Sequence, residues 1–211
     1  MSFPVFTDLK QIGIKFENLV KIGQGAERSV YIDKTKPNYI IKLSKIDNCL
    51  QTKREIKFYN FLYNKKISLK HLPIMHAVIK NDKYIGSIQE NISTLVANDG
   101  KTFLRTVDLP QFLKTGKYDK EKLSEAFCEL KNYLLSNNLV VCDLLPHNIK
   151  VRCIEDKGSL SYMLFLIDGF GSKLWLPFDL IFKKEGRNHI LKQWHKLSNF
   201  LQQDYGFILN N

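Results

Sequence analysis

Several groups of residues in this chain have the types and spacing needed to handle phosphate and metal. In IGQGAERSVY, Ile22–Tyr31, Gly23 and Gly25 lie between two apolar runs, so backbone N–H groups there can approach an anion with no Cβ in the way. Lys42 sits inside the apolar stretch Ile40–Leu43, either on an exposed strand face or pointed at a ligand. Glu55 falls on the apolar stripe of the next helical segment, and a carboxylate on a buried face needs a partner. Asp143 and Asn148 bound a short turn-like stretch in CDLLPHN, Cys142–Asn148, and Asp168 ends an apolar run in LIDGFG, Leu166–Gly171. A carboxylate at a buried strand end is well matched by a divalent cation.

Each signal is weak by itself. An ordinary hairpin turn explains the two glycines about as well, and a surface Lys and a surface Glu explain Lys42 and Glu55. With 12 Asp and 16 Asn in the sequence, about one Asp–Asn pair at this offset is expected by chance. Asp-Gly after a strand is a common turn. Their order carries more weight: glycine loop, strand Lys, helix Glu, Asp–Asn loop, strand-end Asp. That order resembles the protein-kinase-like superfamily. Gly23, Gly25 and Val30 match G-x-G-x-x-G-x-V, with Arg28 at the third glycine, and Asp143, Leu144 and Asn148 match the end of H-R-D-L-x-x-x-N. The resemblance implies that Lys42 grips phosphates and pairs with Glu55, that Asp143 is the base, and that Asn148 and Asp168 hold Mg²⁺.

The elements that must position these residues are legible as patterns. Leu19–Ile22, Ser29–Ile32 and Tyr39–Leu43 read as antiparallel strands, and Met75–Ile79 and Tyr84–Ile88 as two more. Between them, residues 49–66 read as a helix, with Glu55, Phe58, Tyr59 and Leu62 on one face. Asp119–Asn138 reads as an amphipathic helix capped by Asp119. Ile149–Ile154 and Tyr162–Ile167 read as a strand pair joined through Glu155–Gly158, and Ile190, Trp194, Leu197 and Leu201 mark a last helix. The expected fold is α+β and protein-kinase-like in two lobes. The N-lobe, residues 1–90, is a five-stranded antiparallel sheet with one helix. The C-lobe, residues 91–211, is reduced and mostly helical, with the Asp–Asn loop and a metal-binding hairpin.

Composition agrees with a folded chain. Of 211 residues, 44% are hydrophobic and 25% charged, and 14 Phe and 9 Tyr supply core material. The formal net charge of +11 draws polyanions without choosing among nucleotides, nucleic acid, anionic surfaces and acidic partners. No apolar run is long enough to span a bilayer. The start of the chain has no secretory pattern, and the four cysteines show no metal-ligand spacing. A reducing cytoplasm is the expected compartment. The five histidines form no metal set, and His147 is expected to face solvent.

More closely, the sequence is similar to the YrbL family, small bacterial kinase-like proteins named for the PhoP regulatory network. The likeness covers nearly the whole chain: IGQGAERSVY, KREIKFYNFL, the NDGKTF segment at Asn98–Phe103, KNYLLSNNLVVCDLLPHN and LIDGFG. It implies a two-lobed fold with nucleotide in the cleft. The chain departs from the protein-kinase pattern at several points. Val141 and Cys142 stand where H-R precedes the aspartate, Leu145 replaces a lysine, and Asp168 is followed by Gly-Phe. There is no A-P-E, and 40 residues follow Gly171 (211 − 171). A protein-substrate kinase of the usual kind is therefore not expected.

The expected activity is ATP- and Mg²⁺-dependent phosphoryl transfer to a small or unusual acceptor, with a protein acceptor left open. In this scheme Gly23 and Gly25 cover the phosphates and Arg28 reaches one of them, partly replacing the charge missing at Leu145. Two rivals stand beside it. One is a pseudokinase acting as a regulator or scaffold. The other is a basic nucleic-acid-binding module, disfavoured because no recognition motif is visible.

Overall fold

The structure, a computed structural model, describes residues 3–94, 102–156, 158–172 and 182–209; the Asn98–Lys101 part of the NDGKTF segment lies outside them. The chain divides into two compact units, Met1–Leu69 with Pro73–Thr94, and Lys70–Leu72 with Leu95–Asn211. It is mixed α+β, as expected.

The first unit is built on one sheet. Its strands are β1 (Val5–Phe6), β2 (Leu19–Gln24), β3 (Arg28–Asp33), β4 (Lys36–Lys45), β5 (Met75–Lys80) and β6 (Tyr84–Glu90), in the order β1-β5-β6-β4-β3-β2. The expected five strands are therefore six. The extra strand is two residues long and pairs parallel with β5, Val5 opposite Val78 and Phe6 opposite Ile79. Side chains alternate along β4, so Ile41 and Leu43 enter a core with Leu9, Ile14, Ala77, Ile79 and Ile88. Lys42 and Ser44 take the opposite face, toward helix α1 (Leu50–Asn64), where the Ser44 and Thr52 hydroxyls lie 2.6 Å apart. Helix α1 buries Thr52, Glu55, Phe58, Tyr59 and Leu62, and the Tyr59 hydroxyl donates to the Pro73 carbonyl at 2.8 Å.

The second unit contains a three-stranded antiparallel sheet, β7 (Thr102–Asp108), β8 (Ile149–Asp156) and β9 (Ser159–Leu166), in that order. The expected hairpin of β8 and β9 is thus flanked by a third strand, and Glu155 and Asp156 belong to β8 rather than to the turn. Helix α2 spans Leu109–Lys114 and α3 spans Lys120–Ser136. Asp119 caps α3, accepting from the N–H of Glu121 at 3.0 Å and of Lys122 at 3.1 Å. Leu123, Ala126, Phe127, Leu130 and Leu134 form its buried face. Helix α4 (Lys183–Tyr205) buries Ile190, Trp194, Leu197 and Leu201, and the Trp194 ring meets Phe127 edge-on at 6.3 Å.

Candidate functional site

In the first unit, strand register places the glycine turn beside the lysine. Gly23 pairs with Val30, Val30 with Lys42, and Lys42 with Ser87, so the four lie in one row across β2, β3, β4 and β6. Neighbouring strands are about 4.8 Å apart. A Cβ added at Gly23 would come no closer than 3.6 Å to Val30, and one at Gly25 no closer than 3.6 Å to the Arg28 carbonyl. These are ordinary contacts, so side-chain packing does not explain why both positions are glycine; Gly23 also follows a register irregularity in β2.

Glu55 is the hub of this unit. Lys42 Nζ lies 2.9 Å from Glu55 Oε1, Gln89 Nε2 donates to the same oxygen at 2.6 Å, and Arg28 Nη1 donates to Glu55 Oε2. All four side chains are buried, Glu55 at 2% exposure. Arg28, read from the sequence as reaching one of the phosphates, is buried and donates through Nη1 to Glu55. A guanidinium at the third-glycine position lies on β3 within reach of α1, and a buried carboxylate is a stronger partner than solvent.

The next residue back is engaged with the same helix. Glu27 accepts from the backbone N–H of Gln51 at 2.7 Å and of Thr52 at 2.9 Å. These N–H groups open α1 and have no partner inside the helix. Cys49, at the N-cap, provides no side-chain bond, so a carboxylate from the β2–β3 loop caps α1. Both Glu27 and Arg28 therefore tie the glycine loop to α1.

In the second unit, Asp143, Asn148 and Asp168 belong to two loops joined by backbone bonds. Cys142 N–H donates to the Gly169 carbonyl at 2.8 Å, Gly171 N–H to the Val140 carbonyl at 3.0 Å, and Ile167 N–H to the Asn148 carbonyl at 2.9 Å. Val141 forms a bridge with Phe170. Asn148 Nδ2 donates to the Asp143 carbonyl at 2.9 Å and contacts its carboxylate at 3.4 Å. The Asn148 amide is thereby oriented with its nitrogen toward Asp143 and its oxygen away from it. Asp168 Oδ1 accepts from the N–H of Gly169 at 2.6 Å.

The Gly-Phe order after Asp168 has a local cause. Gly169 has φ +83°, and a Cβ there would lie 2.4 Å from the Asp143 carbonyl oxygen. Only glycine permits that approach in that conformation. Val141 and Cys142, in the places of H-R, are buried, and Leu145 is half-buried. His147 is exposed. The four cysteines are free.

Sequence reasoning missed Glu27, Gly86 and the bond from Gln89 to Glu55. A Cβ on Gly86 would lie 2.2 Å from the Lys42 carbonyl oxygen, so glycine there lets β6 close on β4 beneath the lysine. Glycine inside a strand signals such an approach; nothing local marks Gln89 or Glu27.

The donors suit Mg²⁺ better than a metal held by the protein alone. Among the described residues no cluster of three or more His, Cys, Asp or Glu could hold an ion. One carboxylate at Asp168 and one amide oxygen at Asn148 match a cation that takes its remaining ligands from water and phosphate. Among the described residues no helix is long and apolar enough to cross a membrane.

The family model described as PhoP regulatory network protein YrbL matches residues 14–202. No curated protein matches. Among solved structures, the BubR1 kinase domain is 16% identical, with 74% of this chain and 48% of that one covered and a TM-score of 0.48. A C. elegans twitchin kinase fragment with autoregulated kinase and immunoglobulin domains is 18% identical, with 79% and 35% covered and a TM-score of 0.47. The chain thus spans less than half the length of either.

Proposed function

The chain belongs to the PhoP regulatory network protein YrbL family, and from that premise we propose that it is a kinase-like protein that binds ATP with Mg²⁺ and phosphorylates a small acceptor. The observation that carries this reading is the buried Lys42–Glu55 pair at 2.9 Å, with the glycine turn in register beside it. An ammonium fixed by a buried carboxylate is a preorganised phosphate ligand, since its orientation is set before the anion arrives. The two glycines that side-chain packing leaves unexplained let the backbone approach the same phosphates with no Cβ in the way.

In the second unit, Asp168 and the oxygen of Asn148 would hold Mg²⁺, which offsets the charge of the phosphates when bound. Asp143 takes the proton of the acceptor hydroxyl as the acceptor oxygen bonds to the γ-phosphorus. The β–γ bridging P–O bond breaks and ADP leaves. Asn148, by donating to the Asp143 carbonyl, fixes the base and the metal ligand relative to each other.

A second reading, a nucleotide-binding regulator without turnover, draws on the apolar Leu145 and on Arg28 being held by Glu55. ATP turnover that disappears in Asp143→Ala argues against it. The main reading is tested by titrating a fluorescent ATP analogue with and without Mg²⁺ into the wild type and Lys42→Ala. Glu55 keeps Arg28 and Gln89 in that variant, so folding is expected to persist while affinity drops at least about tenfold, the loss of one charged hydrogen bond. Unchanged affinity would remove Lys42 from the site.

A further inference from the structure

Resting on the phosphotransfer reading above, we propose that the groove between the Asp143 loop and α4 is the acceptor site, and that it takes a small polyhydroxylated molecule bearing one anionic group. The groove encloses about 450 Å³, within the range of small-molecule sites. Asp143 and Leu145 form the loop wall, and the facing wall is one side of α4, carrying Gln193, Lys196, Asn199, Phe200 and Gln203. On the helix, 193, 196, 200 and 203 follow each other by three or four residues, which makes one continuous stripe. This stripe runs beside the buried one of Ile190, Trp194, Leu197 and Leu201.

The chemistry of the lining narrows the ligand. A side-chain amide both donates and accepts, as a hydroxyl does, and three amides in one groove match several hydroxyls. Lys196 only donates and carries charge, so it matches a carboxylate or phosphate group. Asp143 is the one carboxylate among the lining residues, and it is the group that must receive the hydroxyl proton. An ammonium-bearing acceptor would meet that carboxylate and be repelled by Lys196. Phe200, 41% exposed, and Leu145 of the loop wall add apolar surface for the C–H side of a polyol or sugar. Nucleic acid, with a charge at every residue, would find one cation here where several are needed.

Three probes separate these features: gluconate with hydroxyls and an anion, glucitol with hydroxyls alone, and glucosamine with hydroxyls and a cation. Ligand-detected NMR on the full chain without nucleotide, for the wild type, Lys196→Gln and Gln193→Ala, gives the affinities. Gluconate is expected to bind best. Lys196→Gln should weaken gluconate by about tenfold or more and leave glucitol unchanged, while Gln193→Ala weakens both, with all three proteins unfolding at the same temperature. Equal binding of gluconate and glucitol, preference for glucosamine, gluconate affinity indifferent to Lys196→Gln, or no binding by any probe at millimolar concentration would each overturn the proposal. ATP binding is measured separately. Its absence with gluconate binding intact defeats the phosphotransfer reading, and its presence with no probe bound defeats the groove.

Discussion

Gly169 stands directly against the backbone of Asp143, so close that a Cβ on it would lie 2.4 Å from the Asp143 carbonyl oxygen. The residue after the proposed metal ligand thus sets the position of the proposed base. Gly169→Ala forces the two loops apart and strains a left-handed backbone. A loss of about 1–3 kcal/mol, read by urea denaturation, is expected together with weaker Mg²⁺-dependent nucleotide binding. An alanine variant as stable as wild type would mean that the loops are not held by this contact.

Glu55 joins Arg28, Lys42 and Gln89, and its removal leaves two buried cations behind. Glu55→Ala is expected to destabilise by about 3–5 kcal/mol. Arg28→Ala leaves Glu55 with Lys42 and Gln89 and should cost less, about 1.5–3 kcal/mol. Chemical denaturation of the two variants checks the order, and equal losses would deny Glu55 its place as hub.

Glu27 caps α1 from outside the helix. Glu27→Ala should lower stability by about 0.5–2 kcal/mol, the range for a lost cap, and hydrogen exchange should speed up at Gln51 and Thr52 first. Unchanged protection at those two amides would show that the cap contributes nothing.

His71 is buried against Tyr133, with its Nδ1 2.8 Å from the Leu164 carbonyl. Burial lowers its pKa from 6.5, the Leu164 carbonyl and Glu129 oppose this, and Lys70 adds to the lowering. The folded state therefore binds its proton less readily than the unfolded chain. Stability is full above about pH 6.5 and falls as pH drops from there toward the lower folded value. Denaturation midpoints across that window should decline in wild type and decline less in His71→Asn. Identical pH profiles would exclude His71 as the cause.

The parts of the fold legible in the sequence are those whose pattern is local. Phe58, Tyr59 and Leu62 mark the face of α1, and Leu123 to Leu134 mark α3, because helical period alone decides them. Asp119 is legible as a cap because the cap and its N–H groups are neighbours in sequence. What escaped is non-local. A two-residue strand at Val5–Phe6 is too short to show a period, and its pairing is decided by β5. Glu27 caps a helix more than twenty residues away, and Arg28 could not be placed before its distance from Glu55 was known. The glycine after Asp168 looked like a departure from pattern until its contact with Asp143 gave it a reason.

The most direct measurement is thermal unfolding with ATP and Mg²⁺, separately and together, for the wild type and Asp168→Asn. Ligand at ten times its Kd adds about 1.4 kcal/mol, roughly 3–6 °C for a chain of this size. A rise in wild type that needs both ATP and Mg²⁺, and that Asp168→Asn abolishes, is the predicted result. No rise at millimolar ATP, or an equal rise in the variant, would contradict the account.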